Sequence, residues 1–262
     1  MSVLDGVRAL LVDLDGVLYV EDDPVPGAVE AIGGLRAAGI GLRFVTNTTQ
    51  RSRRHTLAKL DRLGFGVASD ELVTPAVLAV EHCRAHGLRR VSLLMDAQVK
   101  ADFEGLTEAD DAVDAVIVGD LGERFDYSVL NAAFRHLLDG AQLVALQRNR
   151  YWRRADGLAL DVGPFVAALE YAADVEATVV GKPARAFFAL ALAQLGAEPA
   201  EAAMVGDDVE SDVVGALRAG LRGVLVRTGK FREEAVRAAE LEPTAVVDSI
   251  ADAPALMGLP VG

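Results

Sequence analysis

Short apolar, β-branched runs alternate along this chain with stretches whose apolar residues recur at helical spacing. That alternation confines it to an α/β fold on parallel strands, because joining two parallel neighbours takes a crossover, usually a helix. The spacing predicts strands at Arg8–Leu14, Gly41–Thr46, Ala202–Gly206, Arg222–Arg227 and Ala245–Val247. Between them it predicts helices at Ala28–Ala38, Arg51–Leu63, Ala184–Leu195 and Ser211–Ala219, with Gly39, Gly64, Gly196 and Gly220 placed to close them. Midway the pattern restarts, with strands at Arg90–Met95, Ala115–Gly119 and Gln142–Leu146 and helices at Tyr127–Leu138 and Phe165–Ala173. The expected architecture is a Rossmann-like, doubly wound parallel sheet formed by residues 1–77 and 179–262. An α/β cap, residues 78–178, is inserted into it.

A chain of 262 residues, 52% hydrophobic, has enough apolar surface for such a core. Its net charge of -13 speaks against electrostatically driven nucleic-acid binding, and an anionic ligand would need local positive charge to enter. Nothing reads as a secretion signal or approaches the ~20 apolar residues of a membrane span. The single cysteine, Cys83, cannot form an internal disulfide. These features together suit a cytoplasmic protein. Only four lysines occur, Lys59, Lys100, Lys182 and Lys230, so each deserves scrutiny.

Chemistry concentrates where the core strands end, which is where doubly wound sheets bind ligands. The first strand runs A-L-L-V-D-L-D-G and ends in Asp13 and Asp15, carboxylates that a strand interior could not bury without partners. The second ends in Thr46-Asn47-Thr48, and a later one in Gly206-Asp207-Asp208 with Asp212 close behind. G-K-P brings Lys182 to the start of another helix. Carboxylates gathered at one spot raise one another's pKa, a conflict that a bound cation removes. Hard oxygen ligands without His or Cys favour Mg²⁺ over zinc. Mg²⁺ beside a lysine suits a phosphoryl group, with an aspartate able to take it up as an acyl phosphate.

D-L-D-G-V-L-Y, T-N-T-T, G-K-P and G-D-D-V-E-S-D, in that order, resemble the four motifs of the haloacid dehalogenase (HAD) superfamily. The cap between the second and third motifs is similar to that of class IIA, NagD-like members. R-Y-W-R-R-A-D-G-L-A-L-D-V-G-P-F and V-R-T-G-K-F-R resemble the branch that includes the phospholysine phosphohistidine inorganic pyrophosphate phosphatases. The resemblance implies a Mg²⁺-dependent phosphatase acting on a small phosphorylated metabolite. Asp13 would attack phosphorus, and Asp15 would protonate the leaving oxygen and then activate water. Thr46 and Asn47 would hold phosphoryl oxygens, and Lys182 would neutralise charge. Asp13, Asp207 and the backbone carbonyl of Asp15 would ligate the metal, with Asp208 and Asp212 orienting its surroundings. Asp161, Gly163 and Pro164, just before the helix expected from Phe165, would form a loop contacting substrate. Phospholysine phosphatases commonly carry serine where this chain has Asp15; keeping the acid favours phosphate-ester hydrolysis.

The same scaffold leaves open a pyrophosphate or phospholysine phosphatase, a phosphomutase, and a non-enzymatic phosphate-binding or phosphorylatable signalling module. The resemblance also leaves a homodimer through the cap open. Arg148–Arg154 reads as a cap strand with a basic face or as a segment that helps bring anions towards the core, and Lys230, in T-G-K-F-R, as a surface residue.

Overall fold

The computed structural model describes residues 2–154 and 157–259. Its chain divides into two compact units, one of residues 1–46, 57–73 and 182–262, the other of residues 47–56 and 74–181. The strands of the two main sheets are, in chain order, β1 (Ala9–Asp13), β2 (Gly41–Val45), β3 (Leu72–Val73), β4 (Arg90–Leu94), β5 (Thr107–Glu108), β6 (Ala115–Val118), β7 (Gln142–Ala145), β8 (Thr178–Val179), β9 (Ala202–Gly206), β10 (Arg222–Val226) and β11 (Ala245–Val247).

The first unit holds a six-stranded parallel sheet in the order β11-β10-β9-β1-β2-β3. From β1 the chain winds outward through β2 and β3, and from β9 it winds the other way, so the sheet is doubly wound. Every residue of β1 and β9 is buried, as expected of central strands covered on both faces, which accounts for their unbroken apolar sequence. Leu10, Val12, Phe44, Val205 and Val224 of the sheet pack with Ile32 and Leu35 of the helix Ala28–Ala37 in one core.

The second unit carries a five-stranded parallel sheet in the order β8-β7-β6-β4-β5. Its core joins Val116, Val118 and Leu143 to Leu137 of the helix Tyr127–Leu138 and to Val166 and Leu169 of the helix Val162–Ala173. This last helix begins at Val162, three residues before the expected Phe165, because the Asp161 carboxylate caps it by accepting the Val162 N–H at 2.8 Å. Gly163 and Pro164 therefore lie in the first helical turn, where a proline displaces no intrahelical hydrogen bond. The corrected start also removes the free loop expected there.

The expected helix at Ser211–Ala219 is a six-residue π-helical turn, Val209–Val214, that passes into α-helix over Gly215–Arg218. Tyr151–Arg154 pairs with Gly157–Leu160 in an antiparallel hairpin. Within the predicted basic strand, the side chains of residues 152–154 lie outside the described residues. No helix among the described residues is long and apolar enough to cross a membrane.

Candidate active site

Where a doubly wound sheet reverses its winding, the carboxyl ends of adjacent strands open a crevice. Here that point lies between β1 and β9. Val12 pairs with Val205, so Asp13 and Gly206 stand one rung further and Asp207 leaves the sheet next. On the other side Asp13 pairs with Val45, and the buried Thr46 follows.

Lys182, 2% exposed, joins this group from the loop before the helix Arg185–Leu195. Its Nζ donates to Asp13 Oδ1 at 2.7 Å and lies 2.8 Å from Asp212 Oδ1. Asp212, fully buried on the π-helical turn, also accepts the Asp208 N–H at 3.1 Å through Oδ2. Asp208 caps that turn, its Oδ1 accepting the N–H groups of Glu210 and Ser211, each at 3.1 Å. One carboxylate oxygen from each of Asp13, Asp207 and Asp212 lies within 4.8 Å of the others.

The electrostatics of this cluster are one-sided. Two like charges 4.8 Å apart repel by roughly 3.5 kcal/mol at an effective dielectric of about 20. Burial pushes Asp13 above the usual carboxylate range, with Lys182 opposing and Asp207 adding to the shift. Burial and then Asp212 push Asp207 up to about 6. Burial raises Asp212 to about 6 as well, against the pull of Lys182. For Lys182, burial works against the ammonium, but Asp13 and Asp212 outweigh it and hold its pKa above the ordinary lysine value.

Three ionised carboxylates and one ammonium leave a net charge of about two negative units, which a divalent cation would balance. Asp207 Oδ2 accepts the Lys230 N–H at 2.8 Å, whereas its buried Oδ1 has no hydrogen-bond partner among the described residues. An unpartnered, buried carboxylate oxygen is costly unless a ligand meets it. All the donors are hard oxygens. The residues present therefore fit Mg²⁺.

The other predicted site residues take different positions. The Asp15 side chain is exposed and stands outside the buried carboxylate trio. Its backbone bridges to Tyr19, and Gly16 N–H donates to the Tyr19 carbonyl at 2.7 Å, folding D-L-D-G-V-L-Y into a tight loop. Asn47 belongs to the second unit, where a Cβ on Gly181 would meet its side-chain oxygen at 2.8 Å. In the same unit Asp161 is held by its helix cap and by Gln147 Nε2 at 2.5 Å, and burial raises its pKa. The Gly163 N–H donates to the Asn149 carbonyl at 2.9 Å.

Two contributors escaped the sequence reading. Tyr19 is buried, and burial followed by the charges of Asp15 and Asp13 holds its phenol above the ordinary range. Lys59 caps its ring, with Nζ 3.9 Å from the centroid. The scarcity of lysine marked Lys59 for scrutiny, but nothing in the sequence tied it to Tyr19. Lys230 has an exposed side chain, as expected of a surface residue, but its backbone N–H enters the site.

Residues 10–107 match the family described as haloacid dehalogenase-like hydrolase, and residues 179–253 match the one described as HAD-hydrolase-like. Haloacid dehalogenase-like hydrolase domain-containing protein 2 of Bos taurus is 48% identical over 232 residues, 88% of each chain. Phospholysine phosphohistidine inorganic pyrophosphate phosphatase of Xenopus laevis is 41% identical over 256 residues, 95% of this chain and 94% of that one. The solved 4-nitrophenylphosphatase from Thermotoga maritima superposes with a TM-score of 0.88 at 28% identity, covering 95% of this chain and 97% of that one. The chain belongs to the haloacid dehalogenase-like hydrolase family.

Proposed function

We propose that this HAD-family phosphatase hydrolyses a small phosphorylated metabolite by way of an aspartyl phosphate on Asp13, with Mg²⁺ bound beside it. The observation that carries this reading is the buried convergence of Asp13, Lys182, Asp207 and Asp212 at the switch point of the sheet.

In the first step an Asp13 carboxylate oxygen forms a bond to phosphorus as the bond to the leaving oxygen breaks. Asp15, exposed at the loop's surface, gives its proton to that oxygen. In the second step water attacks phosphorus and passes a proton to Asp15, so that phosphate leaves and both aspartates are restored. Lys182 offsets the charge of Asp13 and of the phosphoryl group it receives. Thr46 and Asn47 hold phosphoryl oxygens. Mg²⁺, held by Asp13, Asp207 and the Asp15 carbonyl, would neutralise phosphoryl charge as it develops. Asp212 acts through Lys182, which it pins in place, and Asp208 through the helical turn that carries Asp212. The inserted region serves as the cap that chooses the substrate, with Asp161, Gly163 and Pro164 as candidate contacts and residues 78–178 as its expected extent. Its pairing into a homodimer remains part of this reading.

The test is phosphate release from 4-nitrophenyl phosphate, with Mg²⁺ and with EDTA, by the wild type and Asp13→Asn. Release that requires Mg²⁺ and is abolished in the variant is expected; near-full turnover by the variant would end the reading. A panel of sugar phosphates, nucleotides, pyridoxal phosphate, pyrophosphate and phospholysine then defines the substrate class.

A further inference from the structure

We propose that the turn Thr228–Lys230 is a positioning element for Asp207, fixing one carboxylate oxygen so that the other alone is presented to the metal. The inference rests on the Mg²⁺ site proposed above. The turn follows β10, and three contacts tie it to the site. The Thr228 hydroxyl donates to the Gly16 carbonyl, joining the turn to the loop that follows Asp13 and Asp15. Gly229, at φ 65°, and Gly16, at φ 80°, pack so closely around the Asp207 carboxylate that a Cβ on either would strike it. The Lys230 N–H then donates to Asp207 Oδ2 at 2.8 Å.

The result is asymmetric. Oδ2 is occupied by a backbone donor, and Oδ1 is buried without a partner among the described residues. A carboxylate held in this way can offer one oxygen to a cation without losing rotational freedom at the moment of binding. The Lys230 ammonium plays the opposite part. Its side chain is 67% exposed, with Nζ 3.9 Å from Asp208 Oδ2, so its charge repels an incoming cation while its backbone prepares the ligand.

Backbone and side chain of one residue therefore pull in opposite directions, which gives the test its sign. Mg²⁺ affinity is measured by titration calorimetry on the full chain without substrate, for the wild type, Thr228→Val, Thr228→Ser and Lys230→Ala. Thr228→Val keeps the shape but loses the hydroxyl, and it should weaken Mg²⁺ binding by about five- to tenfold, the scale of one lost hydrogen bond. Thr228→Ser should restore wild-type affinity. Lys230→Ala keeps the N–H and should bind Mg²⁺ as tightly as the wild type or more tightly. Circular dichroism on each variant checks that the fold is retained. Wild-type affinity in Thr228→Val, failure of serine to restore it, or weakening in Lys230→Ala would overturn the positioning role while leaving the metal site standing. Absence of Mg²⁺ binding by the wild type would remove the site and this inference together.

Discussion

Replacing Asp207 with Asn should stabilise the metal-free protein while destroying its affinity for Mg²⁺. The reasoning starts from the carboxylate trio, in which Asp207 is pushed from 3.8 up to about 6 by burial and by Asp212. An acid whose folded pKa lies above its unfolded value contributes stability at low pH, and that contribution is lost as pH rises through the folded pKa. Near pH 7.5 the charged form is therefore strained by the difference between 3.8 and about 6, roughly 3 kcal/mol at 1.36 kcal/mol per unit. Asparagine has the same shape, carries no charge and can still accept the Lys230 N–H. In EDTA at pH 7.5 the variant should melt roughly 6–12 °C above the wild type, at about 2–4 °C per kcal/mol for a chain near this size. The gap should close towards pH 4, where the wild-type carboxyl is also neutral. Mg²⁺ at about a hundred times its Kd should add roughly 2.7 kcal/mol to the wild type alone and remove most of the difference. Differential scanning calorimetry across pH, with EDTA and with Mg²⁺, measures all three effects. A variant no more stable than the wild type in EDTA at pH 7.5 would refute the reasoning.

Asp15→Asn should slow hydrolysis of an alkyl phosphate by about 10²–10⁴. It should slow the first step with 4-nitrophenyl phosphate far less, because that leaving group needs no proton; equal losses on both substrates in burst kinetics would contradict the role of acid. Lys182→Met should destabilise the metal-free protein by about 3–5 kcal/mol in urea titrations, since it strips the buried Asp13 and Asp212 of their shared cation. A change below about 1 kcal/mol would mean that the pair matters little to the fold.

The parallel strands were legible because central strands buried on both faces read as unbroken apolar runs, and β9 falls at the expected Ala202–Gly206. Leu72–Val73 and Thr178–Val179 were not, since two residues carry no period. The helix Val162–Ala173 was expected, but its start was placed three residues late, although proline in a first turn replaces an N–H that has no helical partner to lose. In the candidate site, strand ends point to Asp13 and Asp207 from composition alone. The tight turn that buries Asp212 against Lys182 is a π-helical segment without a periodic signature. The Thr228–Lys230 turn works through a hydroxyl, a close approach and an N–H, and backbone donors leave no mark in a list of side chains.

The most direct measurement is chemical quenching of the enzyme during turnover of a ³²P-labelled phosphate ester with Mg²⁺ present, followed by peptide mapping of the protein-bound label. Acid-stable, hydroxylamine-labile label on the peptide containing Asp13, absent from Asp13→Asn, is the expected result. Steady turnover with no covalent label, or label on any other residue, would contradict a phosphoryl group carried by Asp13.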